Sequence, residues 1–548
     1  MDETIQFDPV LLEVLWSRLV SITDEQAAAL IRTAFTAVVS QSEDIAAGLF
    51  DTEGRMLAQS QSGTPGHINS MANAVRHFVQ RYPPSELEEG DVLITNDPWI
   101  SSGQLNDITV VTPVFFRDRV AAYFASTIHV IDIGGRPLGA DAPDVFEEGF
   151  FIPITYLYRA GEANELLFEI IEANVRYPRQ VMGDIHAQVV ANDVGQNRLK
   201  ETLAEFDLID LVELSAVIRE RSAARVAQVV AALPDGAYSC ELELDGFDRP
   251  VHIAITIQIQ GEQIAVDFTG SSPQQPYGIN SVLNYAAAYA VCALKCAICP
   301  EVPNNDGIIS AIPVRAPSGT LVNPIHPAPV AGRHVIGQVI PDLIYQALAP
   351  ILSDQIIAGS SAVDWITQVY GETSEGKRFY TYYILAGGMG ARRNKDGLNT
   401  VSFPSRPSLI PLEIIEAQSP IIFDYQRIRV DSGGPGRTRG GCGQEVQFRV
   451  RTDQPFILCP MYDRIGHRAP GLAGGQPGAV GRIETEPHID LHPKIRTILP
   501  PETIIRLYLP GGGGFGNPRL RSREAVDADV EEGFVSPQEA NRIYGADL

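Results

Sequence analysis

Apolar residues recur at three- and four-residue intervals from Val10 to about Ser40, behind an Asp8-Pro9 pair suited to an N-cap and first helical turn. Within that run Thr23-Asp24-Glu25-Gln26 has capping-box spacing, which predicts two consecutive helices. The pattern then becomes strand-like. Ala46–Phe50 and Met56–Gln59 flank Asp51-Thr52-Glu53-Gly54, a hairpin signal. Strand-like runs continue to about residue 157, helical patterns fill 165–232, and Leu233-Pro234-Asp235-Gly236 marks a boundary. Beyond it, Ala237–Asp267 reads as short antiparallel strands and Ser281–Cys299 as a helix. Gly332–Leu352 reads as helix broken by Pro341 and Pro350. From about residue 362 the chain is β-rich and full of glycine and proline, and a short helix from about 523 ends it. Elements come in blocks, which predicts an α+β, multi-domain architecture with mixed and antiparallel sheets. The expected division is residues 1–235, an α+β unit with the candidate site; 236–361, a central α+β unit; and 362–548, a β-rich unit with a terminal helix.

The most telling stretch lies between residues 96 and 135. Asp107–Phe116 and Val120–Ile133 are strand-like runs around the polar break Arg117-Asp118-Arg119. If those three residues form the loop, Asp107 lies opposite His129, with Cβ atoms about 4.5–5.5 Å apart. A slip of one residue would turn His129 to the other face.

Composition narrows the partners. The 548-residue chain carries a net charge of −25, which repels phosphate backbones and argues against nucleic acid. The start, MDETIQFDPV, lacks the basic and apolar regions of a secretory leader, and the most apolar window, Tyr285–Ile298, is too short to cross a bilayer. Six cysteines in such a length make no disulfide framework, so a cytoplasmic protein is expected. Cys292, Cys296 and Cys299 have the C-x3-C-x2-C spacing of some iron–sulfur sites, but their alanine-rich helical setting, which puts them on one face, favours core packing.

Three glycine clusters raise the question of nucleotide binding: Gly387–Gly390, Gly433–Gly441 with Arg437 and Arg439, and Gly511–Gly516. None ends in the Lys-Ser/Thr of a phosphate loop, and tight turns using positive φ are the favoured explanation. ATP binding by this chain itself is not expected.

Candidate chemistry gathers on a few polar residues. Asp44 precedes a strand, His67 sits in a Gly/Pro-bounded loop, Asn96 ends the strand Val92–Thr95, and Gln104 lies three residues before Asp107. Asp44, Asp107 and His129 together would suit a divalent cation such as Zn²⁺ or Mn²⁺, able to activate water or polarise a carbonyl. Each also has a plain structural use, as turn cap, strand opener or core histidine, and spacing alone favours those uses.

At these residues the chain resembles the hydantoinase B/oxoprolinase family. The likeness rests on NDPWISSGQLNDITVVTPVF, HVIDIGG, EEGFFIPITYLYRAG, NVRYPRQVMGDIHAQVVAN, DFTGSSPQ, VRAPSGTLVNP, DSGGPGRTRGG and LPGGGGFGNP…VEEGFVSPQEANRIYG, spread over nearly the whole length. The NDPW and HVIDIGG wording is nearer the acetophenone carboxylase branch than typical oxoprolinases.

The resemblance implies a B-type subunit of a hetero-oligomer whose actin-like A-type partner binds ATP and phosphorylates the substrate or bicarbonate. It implies metal ligation by Asp44, Asp107 and His129, with Gln104 standing where the family's first histidine usually is. A neutral amide is a much weaker Zn²⁺ ligand than imidazole. It also implies substrate contact or proton transfer at His67, catalytic roles for Asp107 and His129, and substrate positioning by Asn96 and Gln104. The leading expectation is a subunit of an ATP-dependent carboxylase of a ketone, acetophenone-like. The alternatives are an ATP-dependent hydrolase of a cyclic amide (hydantoin, 5-oxoproline or lactam) and a structural subunit with a decayed site.

Overall fold

The computed structural model describes residues 7–545. The acidic opening segment, residues 1–6, lies outside the described residues. A seven-stranded antiparallel sheet dominates the first part, in the order β2-β1-β5-β4-β3-β6-β7. Its strands are β1 (Ile45–Phe50), β2 (Met56–Gln59), β3 (Val92–Thr95), β4 (Asp107–Phe116), β5 (Arg119–His129), β6 (Thr155–Arg159) and β7 (Glu162–Ala163). Helices cover both faces of its centre, which explains why β1, β3 and most of β4 and β5 are apolar at successive positions. Val110 and Phe124 join the core shared with the Pro9–Thr33 and Pro178–Glu205 helices. Their neighbours Val111 and Tyr123 pack with Met71, Val75 and Phe78 of the Pro65–Arg81 helix.

The predicted register between β4 and β5 is present: Asp107 pairs with His129. The loop that produces it differs from expectation. Arg117 and Asp118 both have positive φ and make a tight two-residue turn, while Arg119 already belongs to β5. A bulge between Val114 and Phe115 restores the offset.

The first helix also differs. Pro9–Thr33 is one continuous helix capped by Asp8, whose carboxylate accepts from the Val10 and Leu11 amides. Thr23 turns its hydroxyl back to the Val20 carbonyl, and buried Gln26 donates to the Ala125 carbonyl, so the capping-box residues serve packing. The chain breaks at Ala34 instead, where buried Asp184 accepts from the Phe35 and Thr36 amides.

A second sheet, β11-β10-β9-β8, is formed by β8 (Gly236–Leu244), β9 (Val251–Gln260), β10 (Gln263–Asp267) and β11 (Val314–Arg315). The Leu283–Ile298 and Ile340–Leu352 helices join it in a core that runs on into the first part. The helical stretch is divided just ahead of Pro341, between the turn His334–Gly337 and the helix Ile340–Leu352 that carries Pro341 in its first turn, whereas Pro350 sits inside that helix without ending it. Among the described residues, His334–Leu352 alone has the length and apolarity to cross a bilayer, and that segment is 78% buried within the fold. Cys292 and Cys296 lie along the Leu283–Ile298 helix; Cys299 caps its end with non-helical dihedrals and is buried while Cys296 is exposed, so the three do not share one face.

Two four-stranded sheets make up the last part: β13-β12-β16-β18 and β14-β15-β19-β17. Their strands are β12 (Trp365–Glu372), β13 (Arg378–Leu385), β14 (Ile421–Ile428), β15 (Gln444–Val450), β16 (Phe456–Met461), β17 (Arg482–Glu486), β18 (Thr497–Leu499) and β19 (Ile504–Tyr508). Beside them the glycine clusters pack together as adjacent segments. The amides of Gly388, Gly434, Gly441 and Gly512 donate to the carbonyls of Pro510, Gly512, Met389 and Gly441. A side chain at any of these four positions would run into neighbouring backbone. Close approach of chains, more than turn geometry, is therefore the reason for these glycines, and their donors already have partners within the fold.

Candidate functional site

The ends of β4 and β5 open onto a buried polar centre. Asp107 begins β4, His129 ends β5, and the backbone amide of His129 donates to the Asp44 carbonyl just ahead of β1. His67 projects from the first turn of the Pro65–Arg81 helix. Arg333 comes from the loop after β11, immediately before the helical turn His334–Gly337.

Asp107 is the hub, and it is fully buried. Its Oδ1 is 3.0 Å from Gln104 Nε2 and 3.1 Å from His129 Nδ1. Its Oδ2 accepts from the Arg333 guanidinium and lies 3.3 Å from His67 Nε2. On the far side of the His67 ring, Nδ1 is 3.4 Å from Asp44 Oδ1, which also accepts from the Thr64 hydroxyl at 2.8 Å. The imidazole is thus wedged between two carboxylates.

Electrostatics follow from that arrangement. Burial opposes the charge on Asp107, but Arg333, then His67, and bonds from His129 and His67 hold its carboxyl well below the ordinary 3.8. Burial alone would discharge His67, yet Asp107 and Asp44 together raise it above 6.5. Arg333 Nη2 also lies 3.2 Å from His67 Nε2, a contact that asks Nε2 to accept while Asp107 asks it to donate. The two flanking carboxylates favour the protonated ring, which donates to Asp107 and shares that oxygen with Arg333.

Several partners had no role in the sequence-based expectation. The Arg333 guanidinium lies 4.2 Å over the Tyr285 ring. The Tyr382 ring stacks on His129 at 5.2 Å. Asp364, His334 and Gln338 line the same small cavity, about 30 Å³, as Asp44 and His67. Burial lifts the Asp364 carboxyl to about 7 and drops His334 to about 3. Tyr382 also borders a larger groove of about 690 Å³.

Of the residues expected to act, Asp44, His67, Gln104, Asp107 and His129 converge here. Asn96 does not. Its amide donates to the Leu105 and Phe150 carbonyls and its oxygen accepts from the Ile152 amide, so it braces the loop with no group left for a substrate.

The expected metal ligands do not form a coordination set as arranged. One Zn²⁺ or Mn²⁺ with bonds near 2.1 Å keeps its ligands within about 4 Å of one another. Asp44 and Asp107 stand on opposite edges of the His67 ring, and both Asp107 oxygens already face donors. Gln104 presents its N–H side to Asp107 and not its oxygen. Among the described residues no group of three or more His, Cys, Asp or Glu side chains is disposed to hold an ion.

The Hydantoinase B/oxoprolinase family model matches residues 8–518, so the chain belongs to the hydantoinase B/oxoprolinase family. A protein of Pseudomonas sp. strain NS671, named as the B-type component of a "Putative D-/L-hydantoinase", is 29% identical, over 99% of this chain and 96% of that one. The fold matches the ATP-dependent caprolactamase from Pseudomonas jessenii with a TM-score of 0.88 at 24% identity, covering 99% of this chain and 97% of the other. It also matches nucleotide-free acetone carboxylase with a TM-score of 0.86 at 20% identity, covering 98% and 79%.

Proposed function

We propose that this chain is the B-type subunit of an ATP-dependent enzyme that opens a cyclic amide, working with an ATP-binding A-type partner. The observation that carries this reading is His67 set between the Asp44 and Asp107 carboxylates, which raise it, beside the fixed charge of Arg333. Breaking a ring C–N bond requires a proton for the departing nitrogen and positive charge near the oxygen that becomes negative. His67 supplies the proton and takes one back from the attacking water; Arg333 supplies the charge. Water adds to the carbonyl carbon activated by phosphorylation, the C–N bond breaks to leave an acyl phosphate, and a second water cleaves that to the new carboxylate and inorganic phosphate. The relative named as a hydantoinase component, aligned end to end, supports a partnered assembly.

A second reading is carboxylation of an acetophenone-like ketone. It is favoured by the Asn96-Asp97-Pro98-Trp99 and His129–Gly135 segments, whose wording resembles the carboxylase branch. The test is ATP consumption by the co-purified complex against a panel of hydantoins, lactams, 5-oxoproline and ketones, with and without bicarbonate. Bicarbonate-independent turnover with a ring amide supports the hydrolase; dependence on both ketone and bicarbonate overturns it.

A further inference from the structure

We propose that the Arg333 guanidinium is the resident cation of this site and takes the place of a divalent metal ion. The inference concerns the site's charge balance and holds for either reaction above.

A guanidinium stays charged at every accessible pH and can fork its donors over several acceptors. Arg333 uses that capacity through Nε and Nη2. It donates to Asp107 Oδ2, the oxygen that also faces His67 Nε2, and to the Ser102 carbonyl. Its flat face rests on Tyr285. With 3% of its surface exposed, its charge has no solvent to escape to.

The surrounding chain is shaped to seat it. Gly103 has φ +91°, and a β-carbon there would lie 2.6 Å from Arg333 Cδ. Gly66 and Gly337 leave the space filled by the Tyr285 ring; a β-carbon at Gly66 would come within 2.5 Å of it. Three glycines from three segments thus make room for one arginine and the aromatic face that supports it. A side chain that merely drifted into a vacant metal position would not need this seating.

Charge counting agrees. The Asp107 carboxylate already has a permanent cation, the Arg333 guanidinium, directly against it. A divalent ion against Asp107 would add its charge at contact distance from a guanidinium that cannot be discharged. Gln104, turning N–H toward the carboxylate, completes a site built of donors around one anion.

The test is metal binding by the full-length chain, freed of metal with a chelator. Titration with ZnCl₂ and MnCl₂ by calorimetry, then elemental analysis after gel filtration, should find no stoichiometric ion in the wild type. Arg333→Met should gain roughly tenfold or more in affinity for Mn²⁺ or Zn²⁺, and the gain should vanish in Arg333→Met/Asp107→Asn. One equivalent bound by the wild type and lost in Asp107→Asn would overturn the proposal. So would a folded Arg333→Met chain with no gain, because the arginine would then not be standing where an ion could. If Arg333→Met does not fold, Arg333→Gln serves, and the wild-type titration decides without any variant.

Discussion

Replacing Asp107 by Asn keeps the shape of the hub and removes its charge. Asp107 shows no exposed surface and faces four donors, from Arg333, His67, His129 and Gln104. The amide that replaces it can accept at one atom only, and its NH₂ turns toward a neighbour that is itself a donor. Arg333 is then a buried charge without its counter-ion. Breaking such a pair costs about 3–5 kcal/mol, whereas removing both partners together costs much less. The informative experiment is a double-mutant cycle of Asp107→Asn and Arg333→Met, read by urea unfolding of the full chain. Each single change should lower stability by about 3 kcal/mol or more, and the double change should fall short of their sum by on the order of 2 kcal/mol. Additive losses would refute the claim that Arg333 is held in place as the counter-ion of Asp107.

Three further outcomes follow from the same contacts. His67 is raised above its ordinary 6.5 by the two carboxylates, so its contribution is complete below that pH and is lost as pH rises through the folded value. Wild-type stability should decline from pH 6 toward pH 9 more steeply than that of His67→Gln, as measured by unfolding across that range; parallel profiles would contradict the assignment. Glu148 is buried and accepts from the Val330 and Ala331 amides, ahead of Arg333, and burial pushes its carboxyl up to about 8. Because it folds protonated, stability is lost as pH rises from about 4.5 to 8, and Glu148→Gln should gain on the order of 2–4 kcal/mol at pH 8 but little at pH 4. Gly103→Ala meets both a positive φ and the Arg333 side chain, and should cost about 1–3 kcal/mol in urea unfolding; an unaffected midpoint would show that the seat is looser than described.

What could be read from the residues, and what could not, divides along physical lines. The alternating strands were legible, but the residues give the pairing of Asp107 with His129 through a three-residue loop that is a two-residue turn, the bulge supplying the extra residue. The bulge at Val114/Phe115 was not legible, since nothing in an apolar run marks where one residue is left unpaired. Arg333 escaped notice although its setting, Pro-Val-Ala-Gly-Arg-His-Val-Ile-Gly, carries a signal: a lone permanent charge in an apolar run must find a buried partner. Its partner lies 226 positions away, beyond the reach of local pattern. The glycine clusters show a different limit. Positive φ and close backbone approach both demand glycine, and only the fold distinguishes them. Asn96 has a residue type suited to substrate contact, but its three polar bonds are spent on the loop that carries Gln104.

In the proposed function the buried His67–Asp107–Arg333 group completes a reaction that an A-type partner begins. The most direct measurement follows ATP hydrolysed and ring-opened product formed, side by side, by the assembled complex containing either wild-type chain or His67→Gln. The account predicts that product formation falls at least about a hundredfold in the variant while the partner still consumes ATP, so the two quantities separate. Product formed at the wild-type rate, with ATP use unchanged, would contradict it.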